Sequence, residues 1–350
     1  MTTKHARPRL GFIGLGWIGR MRLRAAVDSG VAEVACLADS AADAISEAKL
    51  LAPGALVARS LDEMLEARLD AVVIATPSAL HAAQATRALE AGLPVYCQKP
   101  LARSAAEAKA VVDVARRRNL LLSVDFCYRH TRAGRAVAEL VQSGRLGSIY
   151  AASLVFHNGY GPDKPWVCDA SLSGGGCLMD LGIHLVDFAV WALAAEGVLV
   201  EAACVFSGGK PLQSRAHTED YASASLRFGP RGPVAQLSCS WRASVGADAQ
   251  IESTFLGTRG AASFRNVGGS FYDFVADHHE GTRSTRLCEP PDDWGGRGLC
   301  EFIEALAHGA SQFRDGAGYV KASRAVDDIY ATARKTWPTR ERAGARMKAV

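Results

Sequence analysis

The chain has 350 residues, 49% of them apolar and 22% charged, with a formal net charge of +4. That length exceeds one small core and suits two domains of roughly 100 to 200 residues each, and the composition excludes a disordered or fibrous chain. Basic residues are scattered among nearly as many acids, which argues against nucleic acid as a partner.

The N-terminal stretch "MTTKHARPRLGFIGLGWIG" combines charges with an apolar segment, as a signal peptide does. Its glycines and its strand-turn-helix continuation argue against one. No uninterrupted apolar run approaches about 18 residues, so no membrane span is expected. From Arg9 to about Asp125, short apolar runs alternate with Ala-rich segments of helical period. The pattern predicts strands at residues 10–13, 31–38, 55–57, 71–75, 95–97 and 120–124, with helices over 78–91 and 104–118. Arg116-Arg117-Arg118 ends the second of these helices, where cations suit the helix dipole. Fully apolar strands between helices imply a doubly wound parallel sheet covered on both faces, an α/β domain over residues 1–125.

Residues 126–350 differ in texture. After a helix at about 132–143, longer stretches of period two appear at 149–156, 221–228, 235–241, 251–256 and 261–264, separated by turn signals such as "SGGK" and "FGPRGP". They predict a mostly antiparallel sheet. One long apolar helix, "GCLMDLGIHLVDFAVWALAA", interrupts the strands, and helices over 298–308 and 318–336 close an α+β domain. Nine cysteines without a CxxC pair read as reduced thiols of a cytoplasmic protein.

Gly14-Leu15-Gly16-Trp17-Ile18-Gly19 follows the first strand and opens a helix. Glycines there allow a tight turn and bring helix N–H groups to a pyrophosphate. Asp39 ends the next strand, where a carboxylate accepts hydrogen bonds from an adenosine ribose. Ser40, Ala41 and Ala42 supply no cation for a 2′-phosphate, so charge favours NAD over NADP. "ATPSALH" reads equally as a strand-to-helix turn and as a cofactor contact through Thr76 and Pro77, with His81 at the surface of the first helical turn. In "VYCQKPLA", Lys99 follows Gln98 at the end of the fifth long strand, a fixed charge where open α/β sheets bind ligands.

Downstream, "SGGGCLMDLGIHLVDF" spaces Asp180 and His184 four apart, on one helix face. A carboxylate that holds one imidazole nitrogen raises the basicity of the other, as a general base requires. The same pair suits a structural hydrogen bond, or half a metal site, although no HxxxH or HxH accompanies it. Gly174, Gly175 and Gly176 would let the backbone approach a ligand. The "ADHHE" and "AHTED" clusters read as solvated loops, and no metal site is expected from them.

Taken in order, the GxGxxG start, "TPSALH", "QKP" and "GGGxxxDxGxH" resemble the Gfo/Idh/MocA family of oxidoreductases, and "YRHTRAGRAVAELVQSGRLGSI", "TEDYASASLRF" and "FLGTRGAASF" extend the likeness over most of the chain. The resemblance implies a Rossmann domain joined to a domain with a large open-faced sheet. It implies NAD contacts at Gly14, Gly16, Trp17, Ile18, Gly19, Asp39, Thr76, Pro77, His81 and Gln98. It further implies that Lys99 reaches the reacting hydroxyl, with Asp180 and His184 as the facing pair. Most family members carry Glu where this chain has Gln98, so the amide is expected to leave Lys99 without an adjacent carboxylate.

The implied activity is that of an NAD-dependent dehydrogenase of a sugar, cyclic polyol or sugar derivative, with Tyr128, His157 and Trp166 as candidates for the substrate wall. A non-catalytic sensor of NAD or sugar, and a glycosidase or epimerase that oxidises its substrate transiently, are the alternative readings. A broad apolar sheet face predicts a homodimer or homotetramer.

Overall fold

The computed structural model describes residues 7–336. The charged start of the N-terminal stretch and the last residues of the expected second domain, 1–6 and 337–350, lie outside them. The chain forms two compact units. The first comprises the described residues through Arg135, Leu172–Gly174 and Pro291–Ser323; the second comprises Ala136–Ser171, Gly175–Pro290 and the chain from Arg324 on.

The first unit is built on six parallel strands: β1 (Arg9–Ile13), β2 (Glu33–Ala38), β3 (Leu56–Val57), β4 (Ala71–Ile74), β5 (Val95–Gln98) and β6 (Leu122–Asp125), in the order β3-β2-β1-β4-β5-β6. Between them run helices α1 (Trp17–Ser29), α2 (Ala42–Leu51), α3 (Leu61–Leu65), α4 (Ser78–Glu90) and α5 (Ala105–Arg118). Local chemistry sets the ends of α5. The Ser104 hydroxyl accepts from the Glu107 amide at 3.2 Å, Arg116 to Arg118 fill the last turn, and Asn119 closes it in the left-handed conformation. The strand order reverses between β1 and β4, the place where such sheets bind ligands beyond their C-terminal ends.

A division by chain order at residue 125 does not describe this unit. The chain returns to it in α9 (Arg297–Ala307), which follows α6 (Arg132–Gln142), α7 (Ala170–Ser173) and α8 (Ile183–Ala192). Leu299, Phe302 and Ile303 of α9 join Phe12, Leu23 and Tyr96 in one buried core, with the Phe302 and Tyr96 rings 5.6 Å apart. Apolar burial draws the late helix back.

The second unit carries nine strands: β7 (Ile149–Asn158), β8 (Val198–Ser207), β9 (Lys210–Pro211), β10 (Tyr221–Phe228), β11 (Val234–Ser240), β12 (Ala249–Gly257), β13 (Ala261–Asn266), β14 (Phe274–Glu280) and β15 (Arg283–Cys288). Their order is β15-β14-β13-β12-β7-β11-β10-β8-β9, antiparallel except for β7 with β11. Phe188 of α8 packs on Phe255 and Phe264 at 6.2 and 5.2 Å, so one sheet face is the core. The helix α10 (Ala317–Thr336) ends the described chain.

The opposite face is not broadly apolar. The register places Ser153, Ser225, Ser238, Thr254 and Ser263 there, with Val155, Phe206 and Tyr221 among them and an Arg227–Glu201 ion pair at 2.6 Å. "ADHHE" is not a loop but β14, in which Asp277 is buried and paired with Arg286 at 2.5 Å. The run Ala170–Ala192 is long and apolar enough by length and composition to cross a bilayer, but it is mostly buried inside the protein.

The packing of α9 has a direct test. Phe302→Ala should lower the stability of the first unit by about 3–5 kcal/mol, as a large-to-small core substitution does. A loss below about 1 kcal/mol in denaturant titration would show that α9 is peripheral.

Candidate active site

Three glycines shape the start of α1, each for a separate steric reason. Gly14 has φ +87°, and a Cβ there would lie 2.4 Å from the Ala75 carbonyl carbon. At Gly19 a Cβ would lie 2.0 Å from the Gly14 carbonyl oxygen, so its absence lets the helix approach the strand. At Gly16 a Cβ would meet nothing within 4 Å. That open position is the one at which a pyrophosphate would need the space.

Gly16 is the N-cap and brings no capping side chain, and the first turn of α1 carries no acid. Nothing anionic on the helix itself competes for its N-terminal field. Asp39, half-buried at the end of β2, accepts from the Leu15 amide at 2.5 Å and the Ala41 amide at 2.9 Å. It therefore braces the glycine turn from the adjacent strand. Trp17 is exposed and Ile18 half-buried. These features fit a dinucleotide.

The turn after β4 is locked onto α4. Thr76 donates from its hydroxyl to Gln84 Oε1 at 2.6 Å, and Pro77 is the helix N-cap. Contrary to the expected surface position, His81 is fully buried. Its Nδ1 lies 2.7 Å from the Pro100 carbonyl and its Nε2 2.7 Å from the Thr76 carbonyl. The imidazole thus ties the end of β4 to the turn after β5. Two carbonyls would be served best by the doubly protonated ring. Burial costs that cation more than the carbonyls return, Lys99 adds repulsion, and the pKa lies below its ordinary value. Lys99 is half-buried and joined to Pro100 by a cis peptide bond.

Gln98 is buried, and its amide nitrogen donates to Asp125 Oδ2 on β6. Arg22 of α1 reaches the same oxygen at 2.5 Å. Neither Asp125 nor Arg22 stood out in the sequence. Gln98 and Asp125 are direct register partners on adjacent strands, and that pairing is invisible before the strands are aligned. Tyr128 is buried against Trp294, with ring centroids 6.3 Å apart.

In the second unit the long apolar helix begins as a π turn, Leu178–Gly182, and continues as α8. Widened turns of this kind recur at functional sites. Asp180 lies in the π turn, and its Oδ2 accepts from the Trp241 indole at 3.2 Å. His184, in the first turn of α8, is buried with its ring 6.4 Å from that of Phe156. His157 follows Phe156 on a strand and so faces the other side of the sheet. There it is bonded to the Ser240 hydroxyl at 2.7 Å. This places it on the sheet face opposite Phe156 and His184. Trp166 is half-buried in a short 3-10 segment, Pro165–Cys168.

The three glycines upstream of the π turn pack closely against protein. A Cβ on Gly175 would lie 2.1 Å from the Tyr330 hydroxyl, one on Gly176 2.0 Å from the Glu219 carbonyl oxygen, and one on Gly174 2.7 Å from Arg103 Cβ. Glu219 belongs to "AHTED", yet it is buried and no part of a solvated loop. Its carboxylate accepts from the Gly176 amide at 2.9 Å, the Leu178 amide at 2.8 Å and the Tyr330 hydroxyl at 2.8 Å. Burial raises its pKa against the opposing pull of those donors. Glu219 and Trp241 hold the turn that carries Asp180; an acid before a strand and an aromatic after one gave no signal of this.

A parallel sheet reversing beside a glycine turn, with an acid just beyond the second strand, is the architecture of a dinucleotide-binding domain of Rossmann type. Residues 8–126 match the oxidoreductase family with an NAD-binding Rossmann fold, and residues 135–263 match the GFO/IDH/MocA C-terminal domain. The chain is 32% identical to inositol 2-dehydrogenase of Rhizobium meliloti over 74% of its own length and 76% of that protein's. It is 30% identical to the rhizopine catabolism protein MocA of Rhizobium meliloti over 71% and 79%. Its fold matches a 3-ketoreductase from Actinomadura kijaniata in complex with NADP and TDP-benzene, with TM-score 0.80, 24% identity, and coverage of 94% of this chain and 98% of that one. The chain belongs to the GFO/IDH/MocA family and is an NAD(P)-dependent oxidoreductase.

The buried imidazole yields a sign for pH dependence. Its folded pKa is below 6.5, so under acid the unfolded chain binds the extra proton. The contribution of His81 is intact above the unfolded pKa of about 6.5 and is lost as pH falls through the folded value. Urea midpoints of the first unit should decline over that window, and His81→Gln should flatten the decline. Equal slopes in both proteins would exclude His81 as the source.

Proposed function

We propose that the chain transfers a hydride between NAD and a secondary hydroxyl or carbonyl of a sugar, a cyclic polyol such as an inositol, or a sugar derivative. The observation that carries this reading is the glycine turn, open at Gly16 and braced by Asp39. The matched relatives named inositol 2-dehydrogenase, levoglucosan dehydrogenase and 1,5-anhydro-D-fructose reductase support the substrate class.

The nicotinamide, when bound, supplies the acceptor or donor of the hydride. The turn that Gly14 and Gly19 shape would hold the pyrophosphate over Gly16, the turn at Thr76 and Pro77 would flank the cofactor, and Asp39 would take the adenosine ribose. Lys99 lowers the pKa of the substrate hydroxyl and stabilises a developing alkoxide. His184 takes the hydroxyl proton, with Asp180 to orient it and Trp241 to hold Asp180. Trp166 offers an aromatic face for a pyranose ring.

Asp39 also supports the preference for NAD, since its charge would oppose a 2′-phosphate and Ala41 and Ala42 offer no cation. A cytoplasmic setting is supported by nine free cysteines. A homodimer or homotetramer through the second sheet is supported only by large side chains at one side of its outer face, Tyr221 beside Phe206, and Leu199 at 53% exposure. Sedimentation would decide it, and a monomer at micromolar concentration would reject it.

Incubation with NAD or NADP across inositols, aldoses, ketoses and sugar acids, followed at the absorbance of reduced nicotinamide, tests the activity. Lys99→Ala should lower kcat by about 10²–10³-fold and leave NAD affinity nearly unchanged, as loss of one stabilising charge at the reacting oxygen does. Equal loss of NAD binding would make the lysine structural. Asp39→Ala should shift the NAD-over-NADP ratio of kcat/KM by about tenfold toward NADP. An unchanged ratio would place the discrimination elsewhere.

A further inference from the structure

At the C-terminal edge of β5 and β6, three buried polar side chains share one oxygen. Asp125 is 3% exposed, Arg22 4% and Gln98 8%. Arg22 Nε donates to Asp125 Oδ2 at 2.5 Å, and Gln98 Nε2 donates to the same atom. Burial works against the Arg22 cation, but the adjacent carboxylate more than offsets it, and the pKa of Arg22 is raised well above its ordinary value. An ion pair this deep is held by Coulomb attraction that water does not screen.

This pair has a chemical consequence for Gln98. An amide can present either its NH₂ or its carbonyl oxygen, and the two ends are nearly the same shape. A carboxylate accepts only, so Asp125 accepts from the NH₂ and sets which end points the other way. Among the described residues, none hydrogen-bonds Gln98 Oε1. Gln98 is the last residue of β5, one strand from the reversal point of the sheet. In this topology the second mononucleotide half lies over β4 to β6.

We propose that Asp125, fixed by Arg22, is a positioning residue that orients Gln98 so that Oε1 accepts a hydrogen bond from a ribose hydroxyl on the nicotinamide side of the bound NAD. The acceptor is thus uncharged, and the carboxylate stands one strand away, locked against a guanidinium. A second carboxylate at position 98 would face Asp125 across the register pair with one cation between them. Two acids so placed cannot both ionise readily.

The inference rests on the NAD reading. If the wild type binds no NAD, that reading fails; the inference alone fails if the wild type binds NAD and the variants behave otherwise than stated. Titrating NAD calorimetrically into the full chain, Gln98→Met should weaken affinity about tenfold, the loss expected of one good hydrogen bond. Asp125→Asn should weaken it similarly, and the double variant no further, because Asp125 acts through Gln98. Additive losses in the double variant would overturn the proposal, since a merely structural Asp125 would weaken binding independently of Gln98.

Asp125→Asn breaks a buried pair and could fail to fold, so Gln98→Glu, which retains Arg22 and Asp125, is the second test. Its NAD affinity should be about tenfold weaker than wild type near pH 8 and recover toward wild type near pH 5.5, as the new acid takes up a proton and again donates to Asp125. Wild-type affinity for Gln98→Glu at both pH values would overturn the proposal.

Discussion

The contact between Gly19 and the Gly14 carbonyl governs the first unit. The hydrogen atom at Gly19 allows α1 to lie where a methyl group would come within 2.0 Å of the Gly14 carbonyl oxygen. Because the helix lies that close to β1, its first N–H groups stand at the mouth of the turn, and Asp39 can reach across from β2 to the Leu15 amide. The same position brings Arg22, one turn along α1, to the carboxylate at the end of β6. One missing methyl group thus links the packing of α1 on β1, the glycine turn braced by Asp39 and the buried ion pair.

Each unit also uses a buried carboxylate to gather donors from separate elements. In the first, Asp125 collects a guanidinium and an amide; in the second, Glu219 collects two backbone amides and the Tyr330 phenol. The environments differ in charge. Asp125 has a cation for a partner, whereas Glu219 has only neutral donors and so has its pKa raised by burial. Tyr330 stays protonated, and able to donate, because burial and Glu219 both resist its ionisation. The strictness of the glycines beside Glu219 follows from this: Gly175 and Gly176 have a phenol and a backbone carbonyl where side chains would go.

The sheet of the first unit was legible because strands buried on both faces are apolar along their length, and such runs stand out between Ala-rich helices. Strands β8, β9, β14 and β15 were not legible. A bulge opposite Ser225 and Leu226 breaks the alternation of β8, and β14 carries Asp277, His278 and His279, residue types that suggest solvent. Asp277 is tolerated inside because Arg286 and Arg265 neutralise it. His81 misled for a related reason: the start of a helix is usually exposed, and this one meets the turns after β4 and β5.

By itself, the sequence determined where the turns and helices begin, which residue types stand at the strand ends, and the order of motifs that marks the family, because these depend on local sterics and on short periodicities. Tertiary structure alone decided which side chains share an atom or a face. Gln98 meets Asp125 through strand register, His157 is turned from His184 by a step of one residue, and Glu219 becomes a buried brace through a contact with residue 330. Such meetings join positions far apart in the chain, and their partners depend on the packing that brings them together, which no local pattern encodes.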